Sequence, residues 1–242
     1  MFRQIRNLRT LGRIRTSPKS VRLRKPQFLK AHPEFEISNL LEVVARFAKR
    51  QPDGFYFVQL GAFDGLSGDP LRDIILADDW RGILVEPQKA AFERLEDLYR
   101  DRPQLSLFNA AVGPEDGEIT IYSRKGGPVS TASANPNFLL TPGHRRSDLV
   151  AEVVPCYRLE TLLRKAGNPE RIDLLQIDTE GFDFQIIKSI DLNTIKPEII
   201  RYEHILLSES DKEACLAHLA SYGYRFVLED MDTVAIRSAT LT

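Results

Sequence analysis

Five short apolar runs alternate with stretches patterned as helices, and this alternation constrains the fold more than any other feature of the chain. The runs occupy residues 55–60, 82–86, 105–112, 172–178 and 198–204. Several are apolar at nearly every position rather than at every second one. A strand with one wet face alternates, whereas a strand covered on both faces does not, so these runs read as a parallel sheet between two layers of helices. The intervening segments carry helix signals. Asp69-Pro70 makes a cap and first turn for a helix through Ala77, and Pro87 opens a helix with Phe92, Leu95 and Leu98 on one face. Further helices are predicted over 158–166, 182–190 and 209–222, and one starting at Ser38 with Leu40, Leu41, Val44 and Phe47 inward. Right-handed crossovers then give a doubly wound, mostly parallel α/β sheet, closed by a hairpin over 224–237. Two more strands, 118–123 and 151–157, flank a loop over 124–150 that is too long for a connection and is predicted to be a lid or substrate-recognition insertion.

Charge divides the chain unevenly. The formal net charge is -1, which gives no overall pull toward nucleic acid, and none is expected as a partner. Residues 1–25, however, hold nine Lys and Arg and no acid, with Phe2, Ile5, Leu8, Leu11 and Ile14 at every third position. We read residues 1–31 as a basic tail, helical in part. It is either a peripheral contact with an anionic membrane or another subunit, or a solvated extension. Residues 32–242 are read as the catalytic domain. Cys156 and Cys215 stand apart from each other and from any Cys/His cluster, so they are expected as core residues of a cytoplasmic protein, at most peripheral to the inner face of a membrane. No metal-ligand spacing, membrane span or secretory leader is evident in the sequence.

In an open α/β sheet ligands bind beyond the carboxyl ends of the strands. Five segments deliver polar or glycine residues there. The first gives Gln59 and the turn Gly61, Ala62, Phe63, Asp64 and Gly65, where glycines permit positive φ and close backbone approach to a ligand. The second ends in Glu86, followed by Pro87, and the third holds Asn109 and Ala110. The fourth ends in Asp178 with Glu180 two residues on, and the fifth in Glu203 and His204. The glycine spacing is not G-x-G-x-x-G, and Asp64 would repel a pyrophosphate, which disfavours a nicotinamide-dependent oxidoreductase. An acid at the end of the second strand suits both hydroxyls of a ribose. A ribose contact without a phosphate cradle suggests a nucleoside such as S-adenosylmethionine. Asp178 is a general base, a metal ligand, a partner of the sulfonium or a helix cap on these grounds.

The segments FVQLGAFDG, GILVEP, NAAVG, LLQIDTEGFD and YEH, in this order, resemble the FkbM family of S-adenosylmethionine-dependent methyltransferases over about residues 55–236. The resemblance implies a class I methyltransferase, Rossmann-like, with a seven-stranded sheet whose last strand is antiparallel. It implies O-methyl transfer to a hydroxyl of a sugar, glycan or related natural product. The methionine end of the cofactor would lie near Gly61–Gly65, the ribose on Glu86 and the adenine near Asn109 and Ala110, with Asp178 and Glu180 bordering the reacting centre. Many members have an acid at the position of Gln59, Asn at Phe63 and Lys at Gln176, so this chain departs from the pattern at three places. Asp178, Glu203 and His204 are the candidate bases. Clustered carboxylates could instead hold Mg²⁺, and Ser130, Thr131 and Ser133 of the long loop are candidate acceptor contacts. The alternative to an enzyme is a nucleoside-binding or membrane-docked module without catalysis.

Overall fold

The computed structural model describes residues 25–37, 55–69, 71–77, 80–125, 132–140 and 145–238. Its centre is a seven-stranded sheet. Strands β1 (Tyr56–Leu60), β2 (Arg81–Val85), β3 (Leu105–Phe108), β8 (Leu174–Ile177) and β9 (Ile199–Glu203) run parallel, and β10 (Tyr224–Leu228) and β11 (Asp232–Arg237) form the closing hairpin. The order is β10-β11-β9-β8-β1-β2-β3, with β11 antiparallel to β9. The chain starts in the middle at β1, winds outward through β2 and β3, then returns to β8 on the other flank. That reversal puts the switch point between β1 and β8, whose register pairs Gln59 with Gln176 and Leu60 with Ile177.

The near-continuous apolar runs are buried on both faces, as read from the sequence. Val58, Leu60, Ile83, Leu175 and Ile177 pack on one side with Leu162 and Ile187, whereas Phe57, Leu84 and Leu174 pack on the other with Leu71, Ile75 and Leu95. The covering helices are α2 (Arg72–Ala77), α3 (Lys89–Tyr99), α4 (Leu159–Lys165), α5 (Asp183–Ser189) and α6 (Glu209–Ser221), with a short α1 (Gln27–Ala31) ahead of them.

Three expectations change. The expected third strand divides: Leu105–Phe108 stays in the main sheet, but Ala111–Val112 (β4) pairs with a second sheet of order β4-β7-β5-β6, where β5 is Gly117–Arg124, β6 Ala132–Ser133 and β7 Leu149–Tyr157. The break falls at Asn109, whose side-chain amide donates to the carbonyls of Glu86 and Pro87 and turns the chain away from β2. The long insertion is not bare loop either, since it contains β6 and two 3-10 turns, Pro136–Leu139 and Arg146–Asp148. Finally, the folded body begins before residue 32. Leu29 is fully buried, and Glu213 of α6 accepts the N–H groups of Gln27 and Phe28 at 2.5 and 2.6 Å. Those N–H groups open a helix and have no internal acceptor, so a distant carboxylate caps it. Residues 1–24 and the helix expected from Ser38 lie outside the described residues.

Candidate active site

The turn after β1 was expected to bare its backbone to a ligand; Gly61 and Gly68 do border the hollow at the switch point, while Gly61 and Gly65 are also crowded by protein. Gly61 has φ +82°, and a Cβ there would sit 1.8 Å from the carbonyl oxygen of Asp178. It is glycine because the end of β8 crosses it. Gly65, at φ +66°, would put a Cβ 2.8–3.1 Å from Leu95, Leu98 and Tyr99 of α3. Asp64 also turns inward. One oxygen accepts the N–H groups of Leu66 and Ser67, the other the Ser67 hydroxyl, and Arg94 lies 3.7 Å away. Burial opposes its charge, yet these donors hold the carboxyl below its ordinary value. Asp64 therefore builds the turn, and neither it nor Gly65 lines the hollow at the switch point.

That hollow occupies about 1090 Å³ including its open mouth. Gly61, Ala62 and Phe63 border it on one side, Glu86 and Pro87 on the next, Ala110 and Val112 on the third, and Asp178 and Glu180 close it. Glu86 is only 3% exposed. Its oxygens accept the N–H groups of Phe63 at 2.9 Å and Gln88 at 2.8 Å. Burial pushes the carboxyl up to about 7 against the pull of those two N–H groups, and the charge of Asp178 adds to the rise. The Gln88 side chain also reaches this carboxyl, and its remaining lone pairs are left for a ligand. Asn109 does not line the hollow; it holds the Glu86–Pro87 backbone from behind.

The acids after β8 form a crowded group. Asp178 opens onto the hollow and is raised to about 6 by burial and then by Asp232, with Arg201 pulling it down. Glu180, at φ +53°, is raised to about 7 by burial, Asp178 and Asp183. Asp183 has no exposed surface; it accepts the N–H and hydroxyl of Thr179 and the N–H of Glu203, and burial raises it to about 7. Glu203 is raised to about 9, by burial first and then by its acidic neighbours, and one of its oxygens has no partner. A cation reaches Gln176 from the next strand. Arg201, in register with Gln176, donates to its side-chain oxygen at 3.1 Å and pairs with Glu229 and Asp232.

These shifts have a consequence for stability. Unfolded Asp and Glu ionise near 4. Raised folded values mean that the native state holds its protons longer, so the stabilisation is complete below about pH 4 and is lost as pH climbs through 6 to 9. We expect the melting temperature at pH 9 to lie on the order of 5 °C below that at pH 6. Glu203→Gln removes the highest of these carboxyls, so a scanning-calorimetry series should show it flattening the alkaline part of the decline.

The three candidate bases do not come together. Asp178 lines the hollow; Glu203 lies behind it and carries a proton at neutral pH. His204 faces a separate depression with Tyr202, Lys212 and Thr233, where its Nδ1 meets the Thr233 hydroxyl at 3.0 Å. Burial and then Lys212 lower its pKa. Strand alternation sends neighbouring residues to opposite faces, so Glu203 and His204 could not both have served one site. Ser133, expected as an acceptor contact, donates instead to the Glu180 carbonyl at 2.8 Å. The Phe138 ring fills the space left by Gly181, where a Cβ would lie 2.6 Å away. The insertion is thus docked on the acidic loop. Ser130 and Thr131 lie outside the described residues. Sequence reasoning missed Ile119 and Ile121 of β5, which wall the hollow from the second sheet, and Asp69, which was read only as a cap. Among the described residues no group of three or more His, Cys, Asp or Glu is arranged to hold a metal ion, so the Mg²⁺ alternative finds no ligand set there. No helix among them is long and apolar enough to cross a membrane.

Comparison with known proteins agrees with this geometry. The profile of the methyltransferase FkbM domain matches residues 59–226. No curated protein matches the sequence. Among solved structures, methyltransferase FkbM from Methylobacillus flagellatus superposes with a TM-score of 0.51 at 14% identity, over 77% of this chain and 44% of that one. The chain therefore spans less than half the length of that protein. Looser likenesses are to precorrin-6y C5,15-methyltransferase from Geobacter metallireducens, with a TM-score of 0.42, 12% identity and coverage of 85% and 96%, and to a fibrillarin/Nop5p complex, with 0.41, 15%, 81% and 80%.

Proposed function

This chain belongs to the methyltransferase FkbM family, and from that premise we propose that it transfers a methyl group from S-adenosylmethionine to a hydroxyl of a sugar, glycan or related small molecule. The observation that carries the cofactor reading is the buried Glu86, a carboxyl with acceptor capacity left over at the edge of an open hollow. The residues fit the ligand: acceptors for the ribose at Glu86, an apolar wall for the base from Ala110, Val112, Ile119 and Ile121, and acids rather than phosphate-binding cations where a sulfonium would lie. When bound, the cofactor supplies a methyl group on a good leaving group. The protein holds the acceptor oxygen in line with it, an arrangement worth roughly 7–11 kcal/mol.

Asp178 is the base in this reading. It borders the hollow and, at about 6, is ionised at neutral pH. Its carboxylate takes the proton from the acceptor hydroxyl, a contribution of typically ~10²–10⁴-fold. Binding of S-adenosylhomocysteine, followed by calorimetry, tests the cofactor assignment; absence of heat and of any thermal shift at millimolar concentration would sink it. For the base, Asp178→Asn is expected to lower turnover by about 10²–10⁴-fold with cofactor affinity nearly unchanged. Equal turnover by the variant would remove Asp178 from the mechanism. The basic segment 1–25 we assign to contact with an anionic membrane surface or a second subunit, in a cytoplasmic protein. Its deletion should leave turnover intact and abolish sedimentation with acidic phospholipid vesicles, or dissociate an oligomer.

A further inference from the structure

Strand β1 delivers a buried amide to the hollow. Gln59 is 3% exposed, and its Nε2 donates to Asp69 Oδ1 at 3.0 Å. The same oxygen accepts the Leu71 N–H at 2.8 Å. The two remaining oxygens of this pair, Gln59 Oε1 and Asp69 Oδ2, are buried and have no hydrogen-bond partner. Both residues line the hollow beside Gly61, Ser67 and Gly68. Native proteins rarely leave such acceptors empty, because each has given up water and gained nothing in return. Arg72 makes its ion pair with Asp73 at 3.2 Å, and its charge and backbone N–H also act on Asp69. Burial outweighs these donors and holds the Asp69 carboxyl above its ordinary value, so a further cation beside it would favour the ionised form.

Two adjoining empty acceptors, one of them charged, match a donor that has several N–H groups, a positive charge and no lone pair. An alkylammonium has that description. The negative charge of this pair stands on Asp69, one hydrogen bond from the amide at the end of β1. We infer that Asp69, oriented by Gln59, binds the α-ammonium of the cofactor's amino-acid end. This rests on the cofactor reading above and adds to it the residue that selects for the amino group.

The test compares S-adenosylhomocysteine with its deaminated analogue, in which hydrogen replaces the amino group, by calorimetry on the full chain. The wild-type protein is expected to prefer the amine by at least roughly tenfold, the scale of one charge-assisted hydrogen bond. Asp69→Asn retains an oxygen for the Leu71 N–H and the Gln59 amide, so the turn persists, which a melting curve verifies. It should lose about tenfold for the amine and less than about threefold for the analogue. Moving the charge across the pair, with Gln59→Glu added to Asp69→Asn, should restore affinity for the amine to within about threefold. The assignment is overturned if the wild-type protein binds both ligands equally, if Asp69→Asn weakens both alike, or if the exchange of charge restores nothing. The last two results would leave the pair as architecture around a fixed water, shared with the unpartnered Tyr99 hydroxyl and Arg72 Nε. Failure of the wild-type protein to bind either ligand would remove the cofactor reading itself, which separates the two failures.

Discussion

Gly61→Ala is expected to lower the melting temperature by roughly 8–16 °C, the equivalent of about 4 kcal/mol in a chain of this size. Two costs add. The backbone has φ +82°, where a side chain is strained by about 1–3 kcal/mol. The added Cβ would also meet the Asp178 carbonyl oxygen at 1.8 Å, an overlap that only a backbone shift relieves, at about 1–3 kcal/mol more. The neighbouring N–H groups of Gly61 and Ala62 both donate to the Val85 carbonyl, so the turn cannot swing aside without breaking its join to β2. The same shift would displace Asp178 and lower turnover. A wild-type melting curve for the variant would show that the turn is free to move, and the rigid hollow built on it would not stand.

The second large effect concerns Glu86. Glu86→Ala strands the N–H groups of Phe63 and Gln88 and deletes the carboxylate proposed to accept from the ribose. Losing two hydrogen bonds to a charged group, at about 1.5–3 kcal/mol each, predicts a fall in S-adenosylhomocysteine affinity of at least ~100-fold. The pH dependence is more telling. The free carboxyl is raised to about 7, by burial above all, while hydrogen bonds from ribose hydroxyls favour its ionised form. Affinity should thus rise between pH 6 and pH 8 and level off above, with a proton released on binding near neutrality. Glu86→Gln imitates the protonated acid, so it should bind weakly at all pH values and lose the slope. Calorimetry in two buffers of different ionisation enthalpy reads the proton directly. Affinity that falls with rising pH would place the ligand elsewhere.

The fold was legible because burial on both faces leaves a mark in the strand composition itself. Ile83–Val85 is apolar throughout and Leu174–Ile177 is interrupted only by Gln176, and the helices between such runs leave few ways to connect a sheet. The closing hairpin was legible as well, although its strands are fully buried only at alternate or scattered positions. The ends of β1, β2 and β8 then marked the hollow, since the switch point follows from strand order. The second sheet left a weaker trace. Its strand β7 is exposed over much of its length, and β4 and β6 are two residues each.

The roles inside the site were another matter. Gly61 and Gly65 were visible as special positions, yet what crowds them comes from Asp178 and from α3, far off in the chain. Asp64 and Asp69 are two acids in one turn, and nothing local says that the first folds it while the second opens onto the hollow. Arg201 reaches Gln176 only because β9 lies in register beside β8. Secondary structure and strand order follow from short-range patterns of polarity, which a sequence displays. Which carboxylate keeps an unfilled lone pair, and which side chain occupies a glycine's vacant space, depends on distances between segments that meet only once the chain has folded.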